Sequence, residues 1–131
     1  MTESTLAFQK KLNMTVEQAV EKVTFVIKEY GFGVLTRIDF DQKIKEKLNK
    51  EIQKTVILGA CNPKLAYEAF LISTDVALLV PCNITVREIS EKECIVEAMR
   101  PSKMIELIPG VEKNDLIKKA DSDLAKAISS L

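Results

Sequence analysis

Val16, Ala19, Val20, Val23, Ile27 and Tyr30 recur at three- and four-residue intervals, the spacing that lines one face of a helix. Thr15 stands before them and Gln18 three residues later, the pattern of a capping box, and Gly31 suits the position that closes a helix. Ahead of this helix, STLAFQKKL (4–12) alternates at Leu6 and Phe8 and predicts a first strand. FGVLTRID (32–39) predicts a second, and Asp39 or Asp41 can cap a helix over 41–51 with Ile44, Leu48 and Ile52 on its apolar side. KTVILGA (54–60) is a continuous apolar run, as in a central strand covered on both faces. Asn62 is a good N-cap, and Pro63 sits where proline is favoured, opening a helix over 63–73 with Leu65, Ala66, Ala69, Phe70 and Ile72. VALLVPCNITVREI then predicts an apolar turn and a strand over 82–89, and SEKE a turn into the hairpin partner CIVEAM (94–99). Pro101 and Pro109-Gly110 break the chain before a last helix over 112–130, with Leu116, Ile117, Ala120, Leu124, Ala127 and Ile128 on one side. The order β-α-β-α-β-α-β-β-α, with no linker or repeat, predicts one α+β domain over residues 1–131, its helices on a mixed or antiparallel sheet.

A chain of 131 residues with 47% apolar content can build its own core; a domain of this size buries roughly two-thirds of the surface its unfolded chain exposes. Charge sharpens the picture by its balance. Nineteen basic residues match nineteen acidic ones, so no global field draws the chain to nucleic acid or to an anionic membrane. The apolar run Val76–Val80 is too short to span a bilayer, and MTESTLAFQKKLN has no apolar segment of an export signal. With an odd three cysteines, these features predict a cytoplasmic protein. There is no histidine, which removes Ser-His and Cys-His nucleophile pairs and every histidine-ligated metal centre. Any acid or base must be a carboxylate, lysine, cysteine or tyrosine. Tryptophan is also absent and aromatic content is 5%, too little for a stacking platform.

Candidate chemistry concentrates in two Cys-Asn pairs, GACNPK (59–64) and VPCN (80–83). Cys61 is expected at the end of a strand and just before a helix N-terminus. There the helix dipole and Lys64 favour a thiolate; the alternative is a small buried residue in a tight turn. If the strands carrying them are neighbours, Cys82 faces Cys61, and Asn62 and Asn83 offer matched amides beside the thiols; otherwise each asparagine is a cap or turn residue. Glu97 in CIVEAM is the best available base if it faces the thiols, and a solvated strand residue if it does not. Cys61, Cys82, Cys94, Met99 and Met104 offer sulfur for a soft ion, but no CxxC or CxC spacing supports one, so neither metal nor cofactor is expected. Gly31 and Gly33 of YGFG follow a helix rather than open one, so they do not form a phosphate loop. Lys43, Lys47 and Lys50 share a helix face that Glu46 and Glu51 interrupt, as on a solvated surface.

Four stretches, YGFGVLT (30–36), GACNP (59–63), PCN (81–83) and EAMRP (97–101), together resemble an uncharacterised bacterial and archaeal family, the domain of unknown function catalogued as number three-oh-two. The resemblance covers roughly residues 13–110. It implies a small α+β domain similar to the TATA-binding-protein-like fold, with a curved sheet backed by helices, and a homodimer. The matching positions are Gly31, Gly33, Gly59, Cys61, Asn62, Pro63, Pro81, Cys82 and Asn83. It implies no activity, and likeness in fold to a DNA-binding protein carries no function with it.

These features predict a cytosolic homodimeric domain that binds a small ligand near the two Cys-Asn pairs. In a thiol- or sulfur-handling version, Cys61 is the thiolate and Cys82 its resolving partner. The competing expectation is a non-catalytic interaction or assembly module in which these motifs only shape turns. An enzyme built on carboxylates would need a paired-carboxylate motif, which the sequence lacks.

Overall fold

The structure is a computed structural model and describes residues 1–110 and 114–131. Strands β1 (Thr2–Glu3), β2 (Ala7–Leu12), β3 (Gly33–Asp39), β4 (Thr55–Cys61), β5 (Cys82–Ser90) and β6 (Glu93–Met99) form one sheet in the order β1-β2-β6-β5-β4-β3. Every neighbouring pair is antiparallel. The helices are α1 (Val16–Lys28), α2 (Phe40–Leu48), α3 (Pro63–Ile72), the short α4 (Pro101–Met104) and α5 (Asp115–Ser129), with a 3-10 turn at Thr74–Leu78. The fold is α+β, compatible with the TATA-binding-protein-like arrangement. The strand β1 and α4 add to the sequence expectation, and the apolar turn expected ahead of β5 takes the form of the 3-10 turn. Residues 112–113 of the expected last helix lie outside the described residues.

The helix α1 follows its local signals. Gln18 N–H donates to Thr15 Oγ1 at 3.2 Å, and Thr15 N–H to Gln18 Oε1 at 3.0 Å, completing the capping box. At the other end Phe32 N–H bonds Ile27 O and Gly31 N–H bonds Lys28 O, a Schellman closure that needs the left-handed φ of +86° at Gly31. Val16, Ala19, Val20, Val23 and Ile27 all enter the core.

One face of the sheet holds that core. Phe8 and Leu12 of β2, Val56, Leu58 and Ala60 of β4, Ile84 and Val86 of β5, and Cys94, Val96 and Ala98 of β6 pack under α1 and under Ala120, Leu124, Ala127 and Ile128 of α5. The alternate residues carry Gln9, Ile57, Thr85, Arg87 and Glu97 on the opposite face. This corrects the expectation for β4: Ile57 is only half-buried between buried Val56 and Leu58, so the apolar run has one covered face.

The helix α2 is a second correction. It starts at Phe40, ends in the left-handed Asn49 and buries none of its residues, so Ile44, Leu48 and Ile52 form no core face. Neither expected cap forms. Asp39 pairs with Arg37 at 3.0 Å, and Asp41 accepts from Thr55 N–H at 3.1 Å, stitching the helix to β4.

Candidate functional site

Two cysteines are brought to the same end of the sheet by strand register. Cys82 pairs with Ala60 across β4 and β5, one residue from Cys61, and Cys61 pairs with Gly33 across β3 and β4. At Gly59 the strands leave no room for a side chain: a Cβ there would overlap Thr36 Oγ1 and lie 2.7 Å from Pro81 Cγ. Pro81 follows a cis peptide bond. The chain leaves β4 through Asn62, whose Oδ1 accepts from Leu65 N–H at 3.2 Å while its carbonyl accepts from Ala66 N–H at 2.9 Å, and Pro63 opens α3. The cap that the sequence predicts for Asn62 is therefore formed.

Beneath α3 the sheet end encloses a small apolar cavity of about 30 Å³. Cys61 and Cys82 both line it. Phe32 and Ala60 form its sheet side, Leu65, Ala66 and Ala69 its α3 wall, Val76 and Val80 one flank, and Pro101, Met104 and Ile117 the other. The second flank is held by Asp121 of α5, which accepts from Ser102 N–H at 2.9 Å and from the Ser102 hydroxyl, tying α4 to α5. Each of the four stretches singled out in the sequence contributes: Phe32, the run Ala60–Asn62, Cys82 and Pro101.

The remaining candidates lie elsewhere. Asn83 is exposed, paired with Gly59 on the open face of the sheet, so the two asparagines do not flank the thiols together. Glu97 alternates with core residues Val96 and Ala98 and so points away from the cavity. Its carboxylate accepts from Gln9 Nε2 at 2.7 Å and faces Arg87 at 3.4 Å. It cannot serve the thiols as a base, because the sheet lies between them. Cys94 is buried beside Leu12, at the other end of the β5–β6 hairpin from Cys82, and Met99 shares the Ala7 side of the sheet, so neither joins Cys61 and Cys82. Among the described residues no group of three or more cysteines and carboxylates gathers as a metal centre.

The thiols are not activated, contrary to the sequence expectation. Burial raises the Cys61 thiol above its ordinary value. Cys82 is pushed up to about 12, first by burial, then by the nearby Cys61 and Asp121. The helix N-terminus does not reverse this, because Asn62 already occupies the donor at Leu65 and the surrounding wall is apolar. Alkylation rates read by peptide mass spectrometry are expected to rank Cys61 ahead of buried Cys82 and Cys94, with Cys61 slow at pH 7 and accelerating above pH 9. A Cys61 rate at pH 7 above that of the urea-unfolded chain would contradict the raised pKa.

Residues 8–131 match the family described as domain of unknown function DUF302. The chain belongs to the DUF302 family. A solved member of similar structure is the uncharacterized conserved DUF302 protein from Bacillus stearothermophilus, with a TM-score of 0.76 and 20% identity, covering 97% of this chain and 95% of that one. At this identity the likeness shows a shared fold. No curated protein matches the chain. DUF302 membership extends the resemblance read from residues 13–110 through α5, so the helix that closes the cavity with Ile117 and holds α4 with Asp121 lies within the family domain.

The residues that sequence reasoning missed are the cavity walls. Leu65, Ala66 and Ala69 read as an ordinary apolar helix face, and Pro101 read as a chain break. The available signal was that α3 is apolar around most of its circumference, with Tyr67, Phe70, Leu71 and Ile72 exposed in addition to the cavity wall.

Proposed function

We propose that this DUF302 protein is a cytosolic homodimeric small-ligand-binding domain, and that its site is the apolar cavity beneath α3. The observation that carries this reading is the convergence of four separate stretches of sequence on one cavity. At about 30 Å³ the cavity has room for little more than a water-sized group, so a larger ligand enters only as α3 moves outward from the sheet. Cys61 and Cys82 act here as polarisable walls in their protonated form, and a sulfur-handling role would operate through contact rather than through a standing thiolate. All three cysteines are unpaired, which suits a reducing compartment.

The test is titration with xenon, a small monatomic apolar probe, followed by methyl NMR. Shifts at Ala69, Val76 and Ile117, abolished in both Ala66→Leu and Ala69→Leu, are the expected result. A probe that leaves these methyls unmoved in the wild-type chain would sink the proposal.

Dimerisation is supported by the edge strand β3, seven residues long, with Leu35 and Ile38 exposed beside its unpaired backbone. Light scattering across a dilution series is expected to give twice 14.7 kDa; a monomer at micromolar concentration would contradict it. A second reading, an interaction module, draws support from the outer side of α3. There Tyr67 and Leu71 are exposed, and elsewhere on the surface Leu78 and Leu107 are each 82% exposed. The two readings diverge in the probe titration, since a module that uses only its outer surface has no need of an open cavity.

A further inference from the structure

Resting on the cavity as a ligand site, we infer that α3 is a lid over it. The helix Pro63–Ile72 swings outward on hinges at Asn62 and Ser73, and the space it leaves, floored by Phe32, Ala60 and Cys82, admits an apolar group larger than the closed cavity holds. Little keeps this helix in place. It buries Ala69 alone among its ten residues, whereas α1 and α5 bury five each. The exposed α2 is pinned to β4 by Thr55 N–H on Asp41, and α1 to β3 by the two bonds from Arg37 to Glu17. The helix α5 is tied to α4 through Asp121 and to β2 through Lys10, which donates to the Ser129 carbonyl at 2.6 Å. Among the described residues no side-chain hydrogen bond or ion pair joins α3 to another helix or strand. Its one bond of that kind is its own cap, from Leu65 N–H to Asn62.

Both ends suit a hinge. Asn62 (φ −96°, ψ 104°) and Ser73 (φ −151°, ψ 125°) are extended residues at the helix boundaries, where a few backbone angles can absorb a swing. Beyond Ser73 the chain is anchored again by Val76, which is buried. Opening costs little new exposure. Tyr67, Phe70, Leu71 and Ile72 are already exposed, so the swing adds chiefly the surface of Leu65, Ala66 and Ala69 and of the floor beneath them. An element with few buried apolar groups and no polar tie lies at the low end of local opening free energies.

Two cysteines report the motion without any ligand. Cys82 pairs with Ala60 across β4 and β5, so its side chain shares the cavity face of the sheet, closed off from solvent beneath α3. Cys94 is equally buried but lies in the main core under α1 and α5, where global unfolding alone exposes it. The experiment is alkylation of the full chain by iodoacetamide at pH 8, in urea concentrations below the unfolding transition, with each cysteine read by peptide mass spectrometry. Cys82 is expected to label more than about tenfold faster than Cys94, at a rate almost flat in urea, while the Cys94 rate climbs steeply. Leu65→Ala removes a contact that opening and unfolding both lose, so it should speed Cys82 and Cys94 alike, by about tenfold for a half-buried leucine. Equal rates with the same urea dependence for the two cysteines would overturn the lid. So would a fast Cys82 that Leu65→Ala leaves unchanged, since the opening would then lie outside α3. Fast, urea-independent labelling of Cys82 that Leu65→Ala accelerates, in a chain whose methyls xenon does not move, would leave the lid standing and remove the cavity as a ligand site.

Discussion

Leu58→Ala is expected to cost about 2–5 kcal/mol of unfolding free energy, and Ile57→Ala about 1 kcal/mol or less. The two residues are adjacent in β4 and differ only in which way the strand turns them. Leu58 is 1% exposed, in the core cluster that packs under α1 and α5, and its truncation leaves a cavity that the surrounding side chains cannot close. Ile57 is half-buried on the open face, where water fills the space that alanine vacates. Urea unfolding of both variants measures the difference directly. Similar costs for the two would show that something covers the open face in solution.

The second large effect is alkaline. The Cys82 thiol is raised to about 12 in the folded chain against 9.0 as its ordinary value, chiefly by burial. A raised thiol pKa means that the folded state holds its proton where the unfolded state has lost it. The contribution is therefore intact below pH 9 and is lost as pH rises from 9 towards 12. It amounts to about 2–3 kcal/mol by pH 11 and up to about 4 kcal/mol when complete. Alkali acts on the chain in other ways as well, so the informative quantity is the difference between wild type and Cys82→Ala. Denaturant midpoints across pH 7–11 should show the wild-type chain losing stability faster, and the gap between the two closing. Parallel curves would mean that Cys82 titrates as it does in the unfolded chain.

Local chemistry set most of the elements. Thr15 and Gln18 cap α1, Gly31 closes it, and Asn62 with Pro63 opens α3, because each of these interactions is made within a few residues. Alternation in CIVEAM put Val96 and Ala98 on one face and Glu97 on the other for the same reason, since a strand turns successive side chains to opposite faces. The absence of histidine excluded whole classes of chemistry before any fold was known.

Pairing and packing decided the rest. Whether Glu97 faces the thiols depends on which face of β6 the helices cover, and nothing within CIVEAM states that. The apolar run in β4 looked doubly covered because hydrophobicity alone does not say how many layers a sheet has. Cys61 was expected to be activated because a helix N-terminus is legible in Asn62-Pro63, but desolvation opposes the thiolate, and desolvation is created by Leu65, Val76, Met104 and Ile117 arriving from distant parts of the chain. The sequence by itself determined the ends of α1 and the start of α3, and which chemistries are excluded, because those rest on short-range interactions. Only the tertiary structure decided that Phe32, Cys61, Cys82 and Pro101 share one cavity while Asn83 and Glu97 stand on the far side of the sheet, because strand register and the layer that covers a sheet are set by contacts between residues far apart in the chain.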